Sequence, residues 1–274
     1  MTTLTTTAPP TPSAPPGRAS RPVPQPIPFR RVVAVELRKN FDTRAGFWLL
    51  ASIGILAVLA TTAVVVWAPE EALEYGTFGG AIGIPMAVLL PIVAILSVTS
   101  EWSQRTGLGT FTLVPRRGRT IAAKAVGALL IAVVSMVVAL SVGALGALIG
   151  PMLRGTDPVW DITISQISSL VLAQVLGMTI GFMLGVLLRS SAAAIVAYFV
   201  YWGLIPTLSG LLYSTQEWYQ DVVTWVDFGW NQNMLYERLP EDATQWAHLG
   251  VTGLVWLALP LAFGLWRIRR AEIS

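Results

Sequence analysis

Cysteine is absent from the chain and histidine occurs once, at His248. Without thiols there is no disulfide, no thiol nucleophile and no cysteine metal site. A single imidazole cannot build a multi-histidine metal centre. The sequence therefore offers no catalytic cysteine and no metal site.

Charged residues are also scarce. They make up 12% of the chain, against 54% hydrophobic residues, and the mean hydropathy is +0.64. Soluble domains carry about twice that charged fraction. The net charge is +3, but the basic residues flank apolar runs and are not interleaved with aromatic residues, so we expect no nucleic-acid partner. The composition predicts an all-α integral membrane protein.

Six long stretches lack Asp, Glu, Lys and Arg altogether. Each has at least the about 20 residues that a helix needs to cross the hydrocarbon core. These stretches are 45–69, 75–100, 125–153, 162–188, 190–216 and 243–266. From them we predict spans at about 46–67, 77–100, 124–150 (which begins at the flanking Lys124), 163–188, 191–213 and 245–266, within a membrane domain of residues 45–274.

The uncharged spans exclude several sources of energy and chemistry. Proton- and voltage-driven machinery requires ionisable residues at membrane depth. A phosphate-binding loop requires Gly-Lys-Ser/Thr, whereas the two lysines, Lys39 and Lys124, follow Arg38 and Ala123. The spans also contain no acid pair and no Ser–His pair at a shared depth. We therefore expect no enzyme and no cofactor in this chain, and an energy source elsewhere.

The basic residues predict the orientation in the membrane. With both termini in the cytoplasm, 16 of the 18 Lys and Arg residues lie inside, and only Arg154 and Arg238 lie outside. Short cytoplasmic segments retain Lys and Arg during insertion. We predict a multi-pass protein of a bacterial cytoplasmic membrane.

The residues before the first span divide into two parts. Residues 1–28 are rich in Pro and Thr and are predicted to be a disordered cytoplasmic tail. Residues 29–44 have the spacing of an amphipathic helix lying in the interface, although a plain basic anchor is an alternative. Its apolar residues recur every four positions: Phe29, Val33, Leu37 and Phe41.

The basic loop Glu101–Lys124 also contains an apolar piece. Leu108, Phe111, Leu113 and Val114 lie in this cytoplasmic segment. Such side chains either press against a cytoplasmic partner or lie on the lipid surface, and the spacing leaves both open.

Other residues indicate packing or a pathway. Gly177, Gly181 and Gly185 form a ridge on the fourth span where a neighbouring helix can approach closely. Gln174, on the same span, bonds either to a neighbouring helix or to a ligand. The aromatic outer segment 215–244 is predicted to contain a short helix in the outer leaflet, as an interfacial belt or as part of a gate.

The order of these parts resembles the permease subunits of type-2 ATP-binding-cassette exporters, a superfamily that exports drugs, antibiotics and polysaccharides. The matching residues are ELRKNFDTR (Glu36–Arg44), the loop E-x5-G-x-G-T-x2-L-x-P-R-R (Glu101–Arg117) and Lys124 at the start of the third span. The resemblance runs from about Phe29 to the end of the chain, and the outer segment resembles the re-entrant region of that superfamily.

This resemblance implies a coupling helix at Gly107–Val114 that docks on a separate ATPase, braced by the interfacial helix. The implied coupling residues are Glu101, Arg105, Gly107, Leu108, Gly109, Thr110, Phe111, Leu113 and Pro115. ATP and magnesium would bind to the ATPase, and a second permease subunit, identical or paralogous, would complete the exporter within the lipid bilayer.

Two other classes of function stay open from the residues alone. One is a non-transporting membrane partner, such as a sensor or an immunity protein. The other is an enzyme at the outer interface that uses acids such as Asp221 and Asp227.

Overall fold

The computed structural model describes residues 27–103 and 117–270, and within these ranges the regular structure is helical. The only β pairing in them is an isolated bridge between Glu74 and Val159. In chain order the α-helices are α1 (Phe29–Asp42), α2 (Arg44–Trp67), α3 (Tyr75–Ser103), α4 (Arg117–Arg154), α5 (Ile164–Leu188), α6 (Ser191–Phe199), α7 (Ile205–Thr215), α8 (Glu217–Val226), α9 (Phe228–Met234), α10 (Ala243–Gly253) and α11 (Leu259–Arg270).

The predicted class, an all-α protein with six membrane-spanning helices, is confirmed. The six stretches long and apolar enough to cross a membrane are Gly46–Trp67, Tyr75–Ser100, Gly118–Arg154, Ile164–Leu188, Ser191–Thr215 and Ala243–Ile268. The third differs most from its predicted bounds, because helix α4 begins at Arg117. Its 38 residues extend about 57 Å at 1.5 Å per residue, well beyond the about 30 Å of hydrocarbon.

The second and fourth spans form the centre of the bundle. In each, 56% of the most apolar window is buried, against 11% in the first and fifth spans. The second span contacts the first, third, fourth and fifth. Its buried side chains include Phe78, Ile82, Leu90, Ala94, Ile95 and Val98.

Small residues allow the second and fourth spans to approach closely. A Cβ atom on Gly181 would lie 2.6 Å from the Pro91 carbonyl oxygen, and one on Gly185 would lie 3.3 Å from that of Ile95. Gly177 faces a different neighbour, because its Cβ would lie 3.1 Å from Nε2 of Gln232 in the outer segment. The glycine ridge therefore contacts two elements.

The fifth and sixth spans each contain a π-helical turn two residues before a proline. Val200–Leu204 precedes Pro206, and Leu254–Ala258 precedes Pro260. Proline lacks an N–H and its ring clashes with the carbonyl four residues earlier. Each π turn ends in an i to i−5 bond, from Ile205 N–H to the Val200 oxygen in the fifth span. This wider turn gives the ring room without ending the helix.

The two basic residues predicted to lie outside, Arg154 and Arg238, both have polar partners within the chain. Arg154 donates to the carbonyl oxygens of Val65 and Ala68, at 2.6 and 2.7 Å, at the end of α2. Those carbonyls have no acceptor role left within their own helix. Arg238 pairs with Glu241 at 2.6 Å. Arg154 thus caps the end of α2, and Arg238 forms an ion pair in the connection before α10.

Candidate functional site

The predicted coupling residues fall largely outside the described part of the chain. Arg105, Gly107, Leu108, Gly109, Thr110, Phe111, Leu113 and Pro115 lie between residues 103 and 117, and Glu101 lies in the last turn of α3. The structure does describe the two helices that enter and leave this loop, α3 and α4. The predicted tail, residues 1–28, also lies outside the described ranges except for Ile27 and Pro28.

Helix α1 packs against the beginning of α4. Leu37 packs on the bundle core, and its Cδ2 lies 3.7 Å from where a Cβ on Gly127 would be. Val33 is buried, whereas Phe29 and Phe41 are 38% and 56% exposed. Residues four apart rotate by about 40° around a helix, so the predicted apolar stripe spirals away from the bundle at its ends.

The centre of the buried face of α1 is an acidic residue, Glu36. Its Oε2 lies 2.7 Å from Nζ of Lys124, and both side chains are almost fully buried. Lys124 Nζ also donates to the Ser97 carbonyl oxygen on α3, at 2.9 Å. Lys39 Nζ donates to the other carboxylate oxygen, at 2.7 Å, from a side chain that is 46% exposed. These groups are called the Glu36–Lys124 cluster below.

The electrostatics of this cluster keep Glu36 ionised. Burial by itself raises the pKa of the Glu36 carboxyl, but the charges and hydrogen bonds of Lys124 and Lys39 outweigh it and lower that pKa. A lowered pKa in the folded state stabilises the fold above the unfolded-state pKa. That contribution disappears as the pH falls through the lowered value. The cluster therefore holds three helices together throughout the neutral range.

Glu36 was not predicted to have such a role and belonged only to the resemblance motif ELRKNFDTR (Glu36–Arg44). Two signals in the sequence could have marked each residue as one that needs a buried partner, although neither signal identifies the other residue. Glu36 lies three residues after Val33 and so on the same face of α1. Lys124 is the only cation within an otherwise apolar helical stretch, and such residues usually pair with an acid or a carbonyl.

Gln174, a possible pathway residue, bonds to a neighbouring helix. Its Nε2 donates to the Gly83 carbonyl oxygen at 3.1 Å. The side chain also borders an open crevice of about 370 Å³ between the second, third and fourth spans. The crevice is mainly apolar, and its lining includes Tyr75, Gly79, Met86, Met136, Gly143 and Leu170.

The outer segment contains two short helices, α8 and α9. Trp218 and Trp225 of α8 are 60% and 46% exposed. In α9, Gln232 is buried and donates from Nε2 to the Ala173 carbonyl oxygen at 2.9 Å. Its Oε1 accepts from the Tyr201 hydroxyl at 2.7 Å. Helix α9 thus joins the fourth and fifth spans.

The two acids considered for an outer enzyme site are in different environments. Asp221 is exposed on α8. Asp227 is buried between α8 and α9, where its Oδ1 accepts from the Trp230 backbone N–H at 3.1 Å. Among the described residues, no group of three or more His, Cys, Asp and Glu side chains could hold a metal ion.

No family model matches the chain, and no curated protein matches it. The residues and contacts described above therefore carry the functional interpretation.

Proposed function

We propose that this chain is the membrane-spanning permease subunit of an ATP-binding-cassette exporter of the type-2 class. ATP, with magnesium, binds to and is hydrolysed by a separate ATPase chain. The observation that carries the proposal is the Glu36–Lys124 cluster, which joins α1 to both helices that flank the basic loop. A chain whose six candidate spans carry no Asp or Glu, and whose α3 and α4 are joined to α1 beside the loop, is suited to receiving mechanical work from a partner.

The contacts between helices support a route by which mechanical work passes from the loop to the outer segment. Movement of the loop displaces α3 and α4 together, because Lys124 binds the Ser97 carbonyl. The second span then carries the displacement to the fourth through the close contact of Pro91 with Gly181. The fourth span holds α9 through Gln232. The two helices that flank the loop are thus linked to the outer segment through packed contacts.

The exposed faces of two spans support the proposed contacts with lipid and with a second permease subunit. The first and fifth spans are the least buried within the single chain, at 11% of their apolar windows. In a bilayer these faces contact lipid or a second permease subunit. We propose that both contacts occur, the subunit being identical or paralogous.

The proposed orientation is tested by cysteine labelling in intact cells. The chain has no native cysteine, so single cysteines label without background. A membrane-impermeant maleimide should react with cysteine at Glu71 or Glu237, which are exposed, and should not react at Ser103 or Arg117. Labelling of Ser103→Cys from outside would reverse the assignment of the cytoplasmic face.

The coupling role is tested by Phe111→Ala. An apolar anchor that fills a pocket of a partner typically costs about 2 kcal/mol or more when it is truncated to alanine. The variant should insert normally but should lose ATPase co-purification or substrate-stimulated ATP hydrolysis.

Arg119→Ala is the matched control, because Arg119 bonds to the exposed Ile27 carbonyl oxygen at 2.9 Å and should leave both measurements unchanged. The coupling assignment is wrong if no ATPase co-purifies with the unmodified protein. It is also wrong if Phe111→Ala binds the ATPase and stimulates ATP hydrolysis as the unmodified protein does. A non-transporting sensor or immunity protein then becomes the better interpretation.

A further inference from the structure

A second concave site lies between the fifth span and α9. It is a depression open to the surface, and its volume of about 320 Å³ includes solvent space outside the protein. Four aromatic residues and two amides contribute to its lining: Tyr198, Tyr201, Trp202, Tyr236, Gln232 and Asn233. These residues are called the aromatic pocket below.

The π-helical turn of the fifth span contributes two of these aromatic side chains. Tyr201 and Trp202 lie within Val200–Leu204, and Pro206, which follows that turn, also lines the pocket. A π turn inserts one residue into a helix and so changes the direction of the side chains beside it. Such turns occur frequently at functional sites. The irregular backbone and the pocket therefore coincide.

The polar atoms of the innermost side chains are already used within the protein. Tyr198 donates its hydroxyl proton to the Ala87 carbonyl oxygen, and Tyr201 donates to Oε1 of Gln232. The Gln232 amide nitrogen donates to Ala173. A ligand would therefore meet aromatic rings in this part of the pocket, with few hydrogen-bond donors left to offer.

A buried carboxylate, that of Asp227, lies behind Gly229 and is not itself part of the pocket lining. Asp227 is only 7% exposed. It accepts from the Trp230 N–H at 3.1 Å and from the Tyr219 hydroxyl at 3.4 Å, both neutral groups. Within residues 27–103 and 117–270 it forms no ion pair with a basic side chain. Gly229, which lines the pocket, adjoins both groups, because a Cβ on it would lie 3.2 Å from Asp227 Oδ1 and 4.0 Å from the Tyr201 hydroxyl oxygen.

We propose that the aromatic pocket binds a hydrophobic organic cation of the aryl quaternary-ammonium class. The faces of aromatic rings attract cations, and quaternary ammonium groups, which cannot donate hydrogen bonds, are recognised in this way. Asp227 supplies the opposite charge, which is favourable for a buried anion that lacks a basic partner. The claim that such a cation is exported rests on the proposed function, whereas the claim that it binds in this pocket does not.

The test is equilibrium dialysis of the full chain in nanodiscs of zwitterionic phosphatidylcholine, with empty nanodiscs subtracted. The probe is radiolabelled phenyltrimethylammonium, and the competitor is tert-butylbenzene, which has nearly the same shape and no charge. The unmodified chain should bind the cation saturably, and the neutral compound should compete poorly.

Asp227→Asn should weaken binding of the cation about tenfold or more by removing the charge. Asparagine also caps helices well, so α9 keeps its cap. The matched control is Asp242→Asn, since Asp242 caps α10 through the Gln245 N–H at 2.8 Å and is exposed. It should bind the cation like the unmodified chain.

Two further variants separate loss of binding from loss of fold. Trp202 is 41% exposed, so Trp202→Leu should remove a ring and weaken binding without unfolding the protein. Tyr201→Phe keeps the ring and should retain most of the binding. The proposal is overturned by absence of saturable binding to the unmodified chain, by equal affinity in Asp227→Asn, or by equal binding of tert-butylbenzene. Because no ATPase is present, the result is independent of the coupling test.

Discussion

Lys124→Met is expected to destabilise the folded protein by about 3 kcal/mol or more. The substitution removes a buried ammonium group that lies 2.7 Å from Glu36 Oε2 and 2.9 Å from the Ser97 carbonyl oxygen. Removing one partner of a buried ion pair leaves the other charge in a poorly solvated position. Thermal unfolding of the detergent-purified protein measures the effect, and α1 should become more susceptible to proteolysis.

Lys39→Met is a closely matched control, because Lys39 donates to the same carboxylate at the same 2.7 Å distance. Its side chain is 46% exposed, and pairs of this kind are worth about 1 kcal/mol or less. The double variant Glu36→Leu/Lys124→Met should be more stable than Lys124→Met, since replacing both charges by apolar side chains is often tolerated. Equal effects of Lys124→Met and Lys39→Met would show that burial does not set the strength of this cluster.

Gly181→Leu should cost about 2 kcal/mol or more by forcing the second and fourth spans apart. Even a Cβ at this position would lie 2.6 Å from the Pro91 carbonyl oxygen and 2.8 Å from its Cα. These are backbone atoms of a central helix, so they cannot move aside as the tip of a side chain would. We expect a lower unfolding temperature in detergent and a weakened assembly.

Gly80→Leu makes the same chemical change on the second span, where nothing lies within 4 Å of the added Cβ. It therefore controls for the general effect of replacing glycine in a helix. Unchanged thermal stability and oligomer size in Gly181→Leu would contradict the close contact between these spans.

The sequence by itself determined the class of the protein and the number of spans. A hydrocarbon core of about 30 Å requires about 20 apolar residues, whatever packs beside them. Length and absence of charge are local properties, so they can be read without knowing any contact. The predicted orientation also depends only on local properties, because it follows from the number of Lys and Arg residues in short loops.

The tertiary structure alone decided which faces of the spans are buried. A span that is apolar on all sides has no polar face to indicate its orientation, so the central position of the second span could not be read from its composition. The pairing of Glu36 with Lys124 joins residues 88 positions apart. Nothing in either local pattern specifies that partner.

The outer segment shows the same limit. Its aromatic residues predicted a membrane interface, but the contact of Gln232 with Ala173 spans 59 positions and depends on the space left at Gly177. The π turns before Pro206 and Pro260, by contrast, accommodate a constraint that each proline imposes locally. Composition set the environment of each segment, and long-range packing set its position, because contacts between spans join residues far apart in the chain.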